Sequence, residues 1–307
     1  MKQTGGEKMF QAFNYLFLAA AAATMLLPLI QLLAVSLSSP IAADSNRVFL
    51  LPVEFTWGSW EHILSNKGLW RSFGITVYIT VVGTLLSMLF TLLTAFPLSR
   101  KEFLIRKQVM LGIIITMIFN APMIPFFLTV RELGMMNSLW SLIIPGLIGT
   151  FNMIIIRTFF MGIPAELDDS ARIDGCTDAG ILFRIYLPLS KPVLATVSLF
   201  YAVGYWNTFQ RAVLFIRDPN KWPLQMKLRG YLQSPEELVA VNLFLGDYDF
   251  NTTTLKAATI LLPRCRSFWC ILICKSILSK ALCLARLKNK RCDSKVGLLK
   301  KGGFTHE

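Results

Sequence analysis

Long apolar runs separated by short polar segments make up most of this chain. Five runs reach the roughly 20 residues that are needed to cross about 30 Å of hydrocarbon. They cover residues 13–37, 75–98, 109–130, 139–163 and 189–216. A sixth run starts at 254–262 and then meets Pro263, Arg264 and Arg266. The pattern predicts an all-α polytopic membrane protein with five clear transmembrane helices and a disrupted sixth one.

The composition agrees with this class of protein. Of the 307 residues, 54% are hydrophobic and 16% are charged, whereas soluble domains carry about 25% charged residues. The first run is too long for the core of a signal peptide, and no clear small-residue cleavage site precedes Pro40. It is therefore expected to be a retained membrane span.

The basic residues of the short loops predict the orientation. The loop after the second run holds four cations, and the loop after the third run holds only Arg131. The four are Arg100, Lys101, Arg106 and Lys107. Because cytoplasmic loops carry the excess of Lys and Arg, the N-terminus and residues 164–192 are placed in the cytoplasm. Arg157, about two turns before Pro164, is expected to reach the cytoplasmic interface.

Residues 164–192 form a polar, acid-rich segment between two apolar runs. Pro164 suits the start of a helix, and three carboxylates suit the positive end of its dipole: Glu166, Asp168 and Asp169. Gly175 permits the chain to leave the helix, and Thr177 can cap a second helix. The residue before Pro188 is pushed out of the helical region. We therefore expect a helix, a turn and a second helix that stops before Pro188.

The order of residues in this segment resembles the EAA loop of the permease subunits of binding-protein-dependent ABC importers. Asp169-Ser170-Ala171 stands where that family has Glu-Ala-Ala, and Asp174-Gly175 and Ile185-Tyr186-Leu187-Pro188 match it directly. Asp169 and Ser170 depart from the pattern but keep its size and character. The resemblance covers residues 70–262 and is closest to the carbohydrate-importer branch.

The resemblance implies a MetI-like permease core and a transport role. The cytoplasmic segment would dock on an ATPase subunit through residues matching the family motif: Glu166, Asp169, Ser170, Ala171, Asp174, Gly175, Leu187 and Pro188. The implied assembly contains a second permease subunit, two ATPase subunits and an extracellular solute-binding protein. It would lie among the lipids of a bacterial plasma membrane and import a sugar or oligosaccharide by alternating access.

Polar side chains within the runs are candidates for the translocation path, since an amide at membrane depth needs a partner in protein or water. The candidates are Asn120, Asn152, Trp206, Asn207 and Gln210. Asn120 lies beside Pro122 and Pro125, where a kink is expected. Amides and an aromatic ring suit sugar hydroxyls, and hydrogen bonding between helices is the alternative role.

Motifs for catalysis by the chain itself are absent from the sequence. It has no phosphate-binding glycine loop, no Gly-x-Ser-x-Gly, no paired Cys-x-x-Cys motifs and only His62 and His306. We therefore expect no catalytic residue, cofactor or metal site, with ATP hydrolysis left to a partner. The alternatives are a secondary transporter, which would place ionisable groups inside its spans, and a non-functional truncated permease or membrane scaffold.

The character of the chain changes at residue 263. Residues 263–307 hold eleven of the 31 basic residues, two of the 18 acidic ones and five of the six cysteines. Codons can be chosen for residues 264–288 so that a reading frame starting at the third nucleotide encodes a different, largely apolar peptide. That peptide contains the sequence Tyr-Leu-Gln-Lys-Tyr-Phe-Val-Lys-Gly. A similar ending closes the sixth span in this branch. Residues 1–262 are thus expected to form the permease domain and residues 263–307 an aberrant, frameshifted tail, not a nucleic-acid site.

Overall fold

The computed structural model describes residues 5–119, 121–233, 253–258 and 260–261. Every element in these ranges is helical, as the apolar pattern predicts. In chain order the α-helices are α1 Gly5–Ser36, α2 Pro40–Asp44, α3 Gly58–Ser65, α4 Lys67–Ser99, α5 Arg106–Ile118, α6 Met123–Glu132, α7 Trp140–Ile143, α8 Thr150–Met161, α9 Glu166–Ile173, α10 Asp178–Ile181, α11 Leu187–Leu189, α12 Lys191–Trp206, α13 Phe209–Phe215 and α14 Leu224–Gln233. Residues 253–258 and 260–261 are also helical.

The described residues divide into two compact units. The first contains residues 5–72, 224–233, 253–258 and 260–261. Within it, the buried hydroxyl of Ser59 in α3 donates a hydrogen bond to Oγ1 of Thr254 at 2.8 Å. This contact joins α3 to the helical residues where the sixth run begins. The predicted frameshifted tail, 263–307, lies outside the described residues.

The second unit, residues 73–223, contains most of the predicted spans. Of all the described helices, α1 and α4 are each long and apolar enough to cross a membrane unbroken, and three bent pairs bring the total to as many as five. The pair α5 and α6 bends by 116° and the pair α7 and α8 by 45°. The helix that ends in α11 meets α12 at 87°. The break before α6 confirms the kink expected at Pro122, which lies at the N-terminal cap of α6.

Side chains from α12 and α13 satisfy backbone groups that the break between α7 and α8 leaves free. The amide of Gly149 donates to the hydroxyl of Tyr201 at 2.9 Å, and the hydroxyl of Tyr205 donates to the carbonyl of Ile143 at 3.1 Å. Arg211 donates from Nη1 to the carbonyl of Leu142 at 3.1 Å. A broken span is tolerated at membrane depth only where such partners exist.

The same two tyrosines connect α12 to α4. The hydroxyl of Tyr201 lies 2.7 Å from Oγ1 of Thr91, and that of Tyr205 lies 2.8 Å from Oγ of Ser87. One turn before Ser87, Gly83 lies against the Tyr205 ring so closely that a Cβ there would be 2.9 Å from ring carbons. Gly83 therefore permits the approach of the two helices.

The prediction that the second helix of the segment 164–192 ends before Pro188 is wrong. A π-helical turn, Leu182–Tyr186, follows α10, and α11 continues through Pro188. In the π-turn the amide of Leu187 donates to the carbonyl of Leu182, five residues earlier. This wider turn accommodates a proline that an uninterrupted α-helix would exclude.

Candidate functional site

The acid-rich segment folds locally as its sequence predicts. The helix α9 begins with its three carboxylates in the first turn, and Gly175 follows it with a positive φ of 76°. The side chain of Thr177 then accepts a hydrogen bond from the amide of Gly180 at 3.3 Å and caps α10. The glycine turn and the threonine cap therefore shape the segment as predicted, whereas Pro164 lies two residues before the first residue of α9.

The two faces of α9 have different surroundings. Ala171 is buried and Asp168 is half-buried, and their spacing of three residues puts them on one face. Glu166, Asp169 and Ile173 are exposed, and Ile173 has 86% of its surface free. The helix thus packs by one face and presents carboxylates and a large apolar side chain on the other.

Arg100, directly after α4, pairs with both halves of the segment. Its Nη2 lies 3.3 Å from Oδ2 of Asp168, and its Nη1 lies 2.9 Å from Oδ1 of Asp178. The side chains of Arg100 and Asp168 are only 9% and 15% exposed. Solvent therefore screens this pair less than an ordinary surface ion pair. One guanidinium holds α9 and α10 at the end of α4.

Arg172 adds a more exposed second connection. Its Nη2 lies 2.9 Å from Oε2 of Glu102 and 3.4 Å from Oδ1 of Asp178. Because these side chains are well exposed, each pair contributes at most about 1 kcal/mol. The contacts nevertheless complete a connected set of five charged residues: Arg100, Glu102, Asp168, Arg172 and Asp178.

Tyr186, in the π-helical turn, connects the end of the segment to Asp168 as well. Its hydroxyl donates to Oδ2 of Asp168 at 3.0 Å, and its ring makes edge-to-face contacts with Phe96 and Phe160, with centroids 5.1 and 5.2 Å apart. Burial, followed by the nearby Asp168 carboxylate, raises the pKa of Tyr186 to about 12. The hydroxyl thus stays protonated as a donor throughout the physiological pH range. Arg100 lies over the Phe96 ring at 4.4 Å.

The motif residues fall mainly on the outer surface. Six are exposed, Leu187 is half-buried and Ala171 is buried; the exposed ones are Glu166, Asp169, Ser170, Asp174, Gly175 and Pro188. Their role in docking remains a prediction. The roles of Arg100, Glu102, Arg172 and Tyr186 were not predicted from the sequence. A signal was available, since a strongly basic loop and a strongly acidic loop are both assigned to the cytoplasmic side.

A groove of about 510 Å³ lies beside the start of α8. It is lined by Thr116, Met117, Gly149, Thr150, Phe151, Asn152 and Phe200. Hydroxyl, amide and aromatic groups therefore share one surface, a combination that can bind sugar hydroxyls and sugar-ring faces.

The predicted path residues do not all line this groove. Asn152 lines it, whereas Trp206, Asn207 and Gln210 are not part of its lining. Asn207 caps α12 and donates from Nδ2 to the carbonyl of Val203 at 3.0 Å, and the Trp206 ring meets Phe73 edge-on at 6.2 Å. Asn120 lies outside the described residues.

Comparison with known proteins places these features in a family. Residues 68–221 match the family described as "Binding-protein-dependent transport system inner membrane component". The polygalacturonan/rhamnogalacturonan transport system permease protein YtcP of Bacillus subtilis (strain 168) is 42% identical over 72% of this chain and 78% of its own. Protein LplC of the same organism is 42% identical over 75% and 78%.

A solved structure also matches the fold. It is the crystal structure of a bacterial ABC transporter involved in the import of the acidic polysaccharide alginate. The match has a TM-score of 0.84 and 31% sequence identity, and it covers 90% of this chain and 99% of the matched one.

Proposed function

Because this chain belongs to the family of inner membrane components of binding-protein-dependent transport systems, we propose that it is the permease subunit of an ATP-driven ABC importer for an oligosaccharide. The chain is a multi-pass membrane protein. In our proposal its N-terminus and the segment 164–192 face the cytoplasm, in agreement with the distribution of basic residues in its loops.

One observation supports a role of α9 in coupling the permease to an ATPase subunit. Helix α9 is fixed by its inner face to the end of α4, through Asp168 and Arg100, and it presents Glu166, Asp169 and Ile173 outward. A large apolar side chain that is 86% exposed beside carboxylates suits a protein partner better than solvent. The partner we propose is an ATPase subunit.

The proposed mechanism is alternating access. Closure of two ATPase subunits would move α9, and Arg100 would pass the displacement to α4 because its guanidinium contacts both α9 and α10. Breaks within the spans, at α5 to α6 and α7 to α8, allow half-helices to rock separately. A second permease subunit and an extracellular solute-binding protein would complete the assembly.

The cargo we propose is an oligosaccharide that contains uronic acids. Two similar proteins support a cargo that contains uronic acids. The name of the Bacillus subtilis permease YtcP includes polygalacturonan and rhamnogalacturonan. The matched crystal structure is that of a transporter involved in the import of the acidic polysaccharide alginate. The groove beside Asn152 supplies amide, hydroxyl and aromatic groups for the sugar part.

Co-purification and uptake test the proposal together. The permease is expressed with its candidate ATPase and binding-protein subunits, and ATP-dependent uptake of oligogalacturonides into proteoliposomes is measured. Gly175→Asp or Asp169→Lys should release the ATPase subunit and abolish uptake. Glu132→Lys, which makes the same acid-to-lysine change at the end of α6 on the other side of the membrane, should do neither. Retention of the ATPase by both coupling variants would refute the docking role.

A further inference from the structure

A second groove, of about 390 Å³, lies between α5 and α8. Three cations line it: Arg106, Lys107 and Arg157. The rest of the lining is apolar and consists of Met110, Leu111, Ile114 and Met161. It lies at the start of α5 and the end of α8, the ends assigned to the cytoplasmic interface.

The three cations share no acidic partner in the part of the chain that the structure describes. None of them lies within 4.0 Å of a described carboxylate. Arg106 donates to the carbonyl of Arg100 at 3.3 Å and Arg157 to that of Leu98 at 2.9 Å. These bonds fix the two guanidinium groups but leave their charge uncompensated. The first turn of α5 contains no acidic residue, and its cap makes no side-chain hydrogen bond. The site therefore favours an anion.

The apolar lining continues from the cations along one face of α5. Residues 106, 110 and 114 are each four apart, as are 107 and 111, so that all five share that face. At 1.5 Å per residue the face extends about 12 Å from Arg106 to Ile114. Leu111 and Ile114 are 61% and 39% exposed. The groove is thus positively charged at one end and apolar along the rest.

We propose that this groove binds an anionic phospholipid of the cytoplasmic leaflet. The lipid phosphate pairs with Arg106, Lys107 and Arg157, and an acyl chain lies along Leu111 and Ile114. Charge complementarity selects an anion, and the apolar continuation selects a lipid over free phosphate. Because Arg106 and Arg157 also hold the backbone at the end of α4, the lipid would brace the base on which the segment 164–192 rests.

Native mass spectrometry of the complex as it purifies from membranes tests the proposal. The complex is titrated with phosphatidylglycerol, with phosphatidylcholine of the same acyl chains, and with inorganic phosphate. Lys107→Gln and Arg157→Gln should each weaken phosphatidylglycerol binding about fivefold, the factor that about 1 kcal/mol per basic residue corresponds to. Lys101→Gln is the control, because it removes an exposed cation of the same loop that does not line the groove.

Two further variants distinguish lipid binding from misfolding and from the binding of phosphate alone. Arg157→Lys keeps the charge and should retain most of the phosphatidylglycerol binding. If Arg157→Lys loses binding as strongly as Arg157→Gln, the loss in both variants is due to misfolding and not to the missing charge. Leu111→Gln should weaken the lipid and leave inorganic phosphate unchanged. The proposal is overturned if phosphatidylcholine binds equally well or if the charge variants bind like the unmodified chain. Binding of inorganic phosphate as tight as that of phosphatidylglycerol, or a cross-link from position 107 to an ATPase subunit, would also overturn it.

Discussion

The hydroxyl of Tyr186 donates a hydrogen bond to Oδ2 of Asp168 at 3.0 Å, across eighteen residues of sequence. The same carboxylate oxygen lies 3.3 Å from Nη2 of Arg100. Asp168 therefore joins three parts of the molecule: α9, the π-turn and the end of α4. These contacts fix the acid-rich segment to the end of α4.

Asp168→Asn removes the shielded one of the two described carboxylates that balance Arg100 and keeps the size of the side chain. Among the described carboxylates, Arg100 then keeps only Asp178, whose side chain is 68% exposed and therefore more strongly screened by solvent, and we expect a loss of stability of about 1 to 3 kcal/mol. Since the outer face of α9 is unchanged, the ATPase subunit should stay bound while uptake falls about tenfold through misplacement of the segment. Co-purification and uptake are measured on the same preparation.

Lys101→Ala is the control for the loss of a charge in the same region, because Lys101 follows Arg100 in the sequence and is exposed. It should leave uptake within about twofold of the unmodified chain, as surface substitutions do. If Asp168→Asn behaves like Lys101→Ala, the ion pair does not transmit motion.

Tyr186→Phe keeps the aromatic contacts with Phe96 and Phe160 and removes only the hydroxyl. The loss of one hydrogen bond to a charged acceptor should lower stability by about 1.5 to 3 kcal/mol. The folded-state pKa of Tyr186, about 12, is above the ordinary value of 10.0. Its stabilising effect is therefore complete below pH 10 and is lost as the pH rises towards 12. Thermal unfolding of both chains should show a constant difference from about pH 6 to pH 9. A difference that changes within this range would contradict the assignment.

Gly83→Ala should disturb the contact of α4 with α12. A Cβ at this position would lie 2.9 Å from the Tyr205 ring, and forced overpacking costs about 1 to 3 kcal/mol. Gly74→Ala is the matched control on the same helix, where nothing lies within 4 Å of the added Cβ. It should be neutral or slightly stabilising, because alanine favours helix by about 1 kcal/mol. Apparent melting temperatures in detergent compare the two, and equal values would rule out the close contact.

Asn152→Leu should reduce uptake several-fold while the ATPase subunit remains bound. Asn152 is half-buried and lines the groove beside α8, where its amide can hydrogen-bond to sugar hydroxyls. Gln210→Leu makes the same kind of change at an exposed residue that does not line the groove. Its uptake should be nearly normal. An equal loss of uptake in both variants would show that Asn152 has no specific role in the translocation path.

Local patterns in the sequence account for the parts of the site that depend on neighbouring residues. Gly175 and Thr177 act within one turn of their own positions, so the positive φ of the first and the helix cap of the second are readable directly. The continuation of the helix through Pro188 was not readable, because it depends on a π-turn that widens the backbone just before the proline.

Contacts between distant residues could not be predicted from the sequence for a different reason. Arg100 and Asp168 are 68 positions apart. The assignment of their two loops to the same side of the membrane is compatible with a contact between the loops, but nothing in the sequence selects this pair of residues. The break between α7 and α8 was also missed, since the apolar run continues across Gly146 and Gly149. This break is stabilised by side chains of a later helix, such as Tyr201, whose hydroxyl accepts a hydrogen bond from the free backbone amide of Gly149.

Cross-linking from position 173 tests the central claim most directly. Ile173 is the most exposed apolar residue of α9, and a photoreactive amino acid placed there should cross-link to the ATPase subunit in the assembled complex. The same group at position 171, which is buried on the inner face, should not reach the ATPase. Cross-linking from 171 but not from 173, or from neither position, would contradict docking by the outer face of this helix.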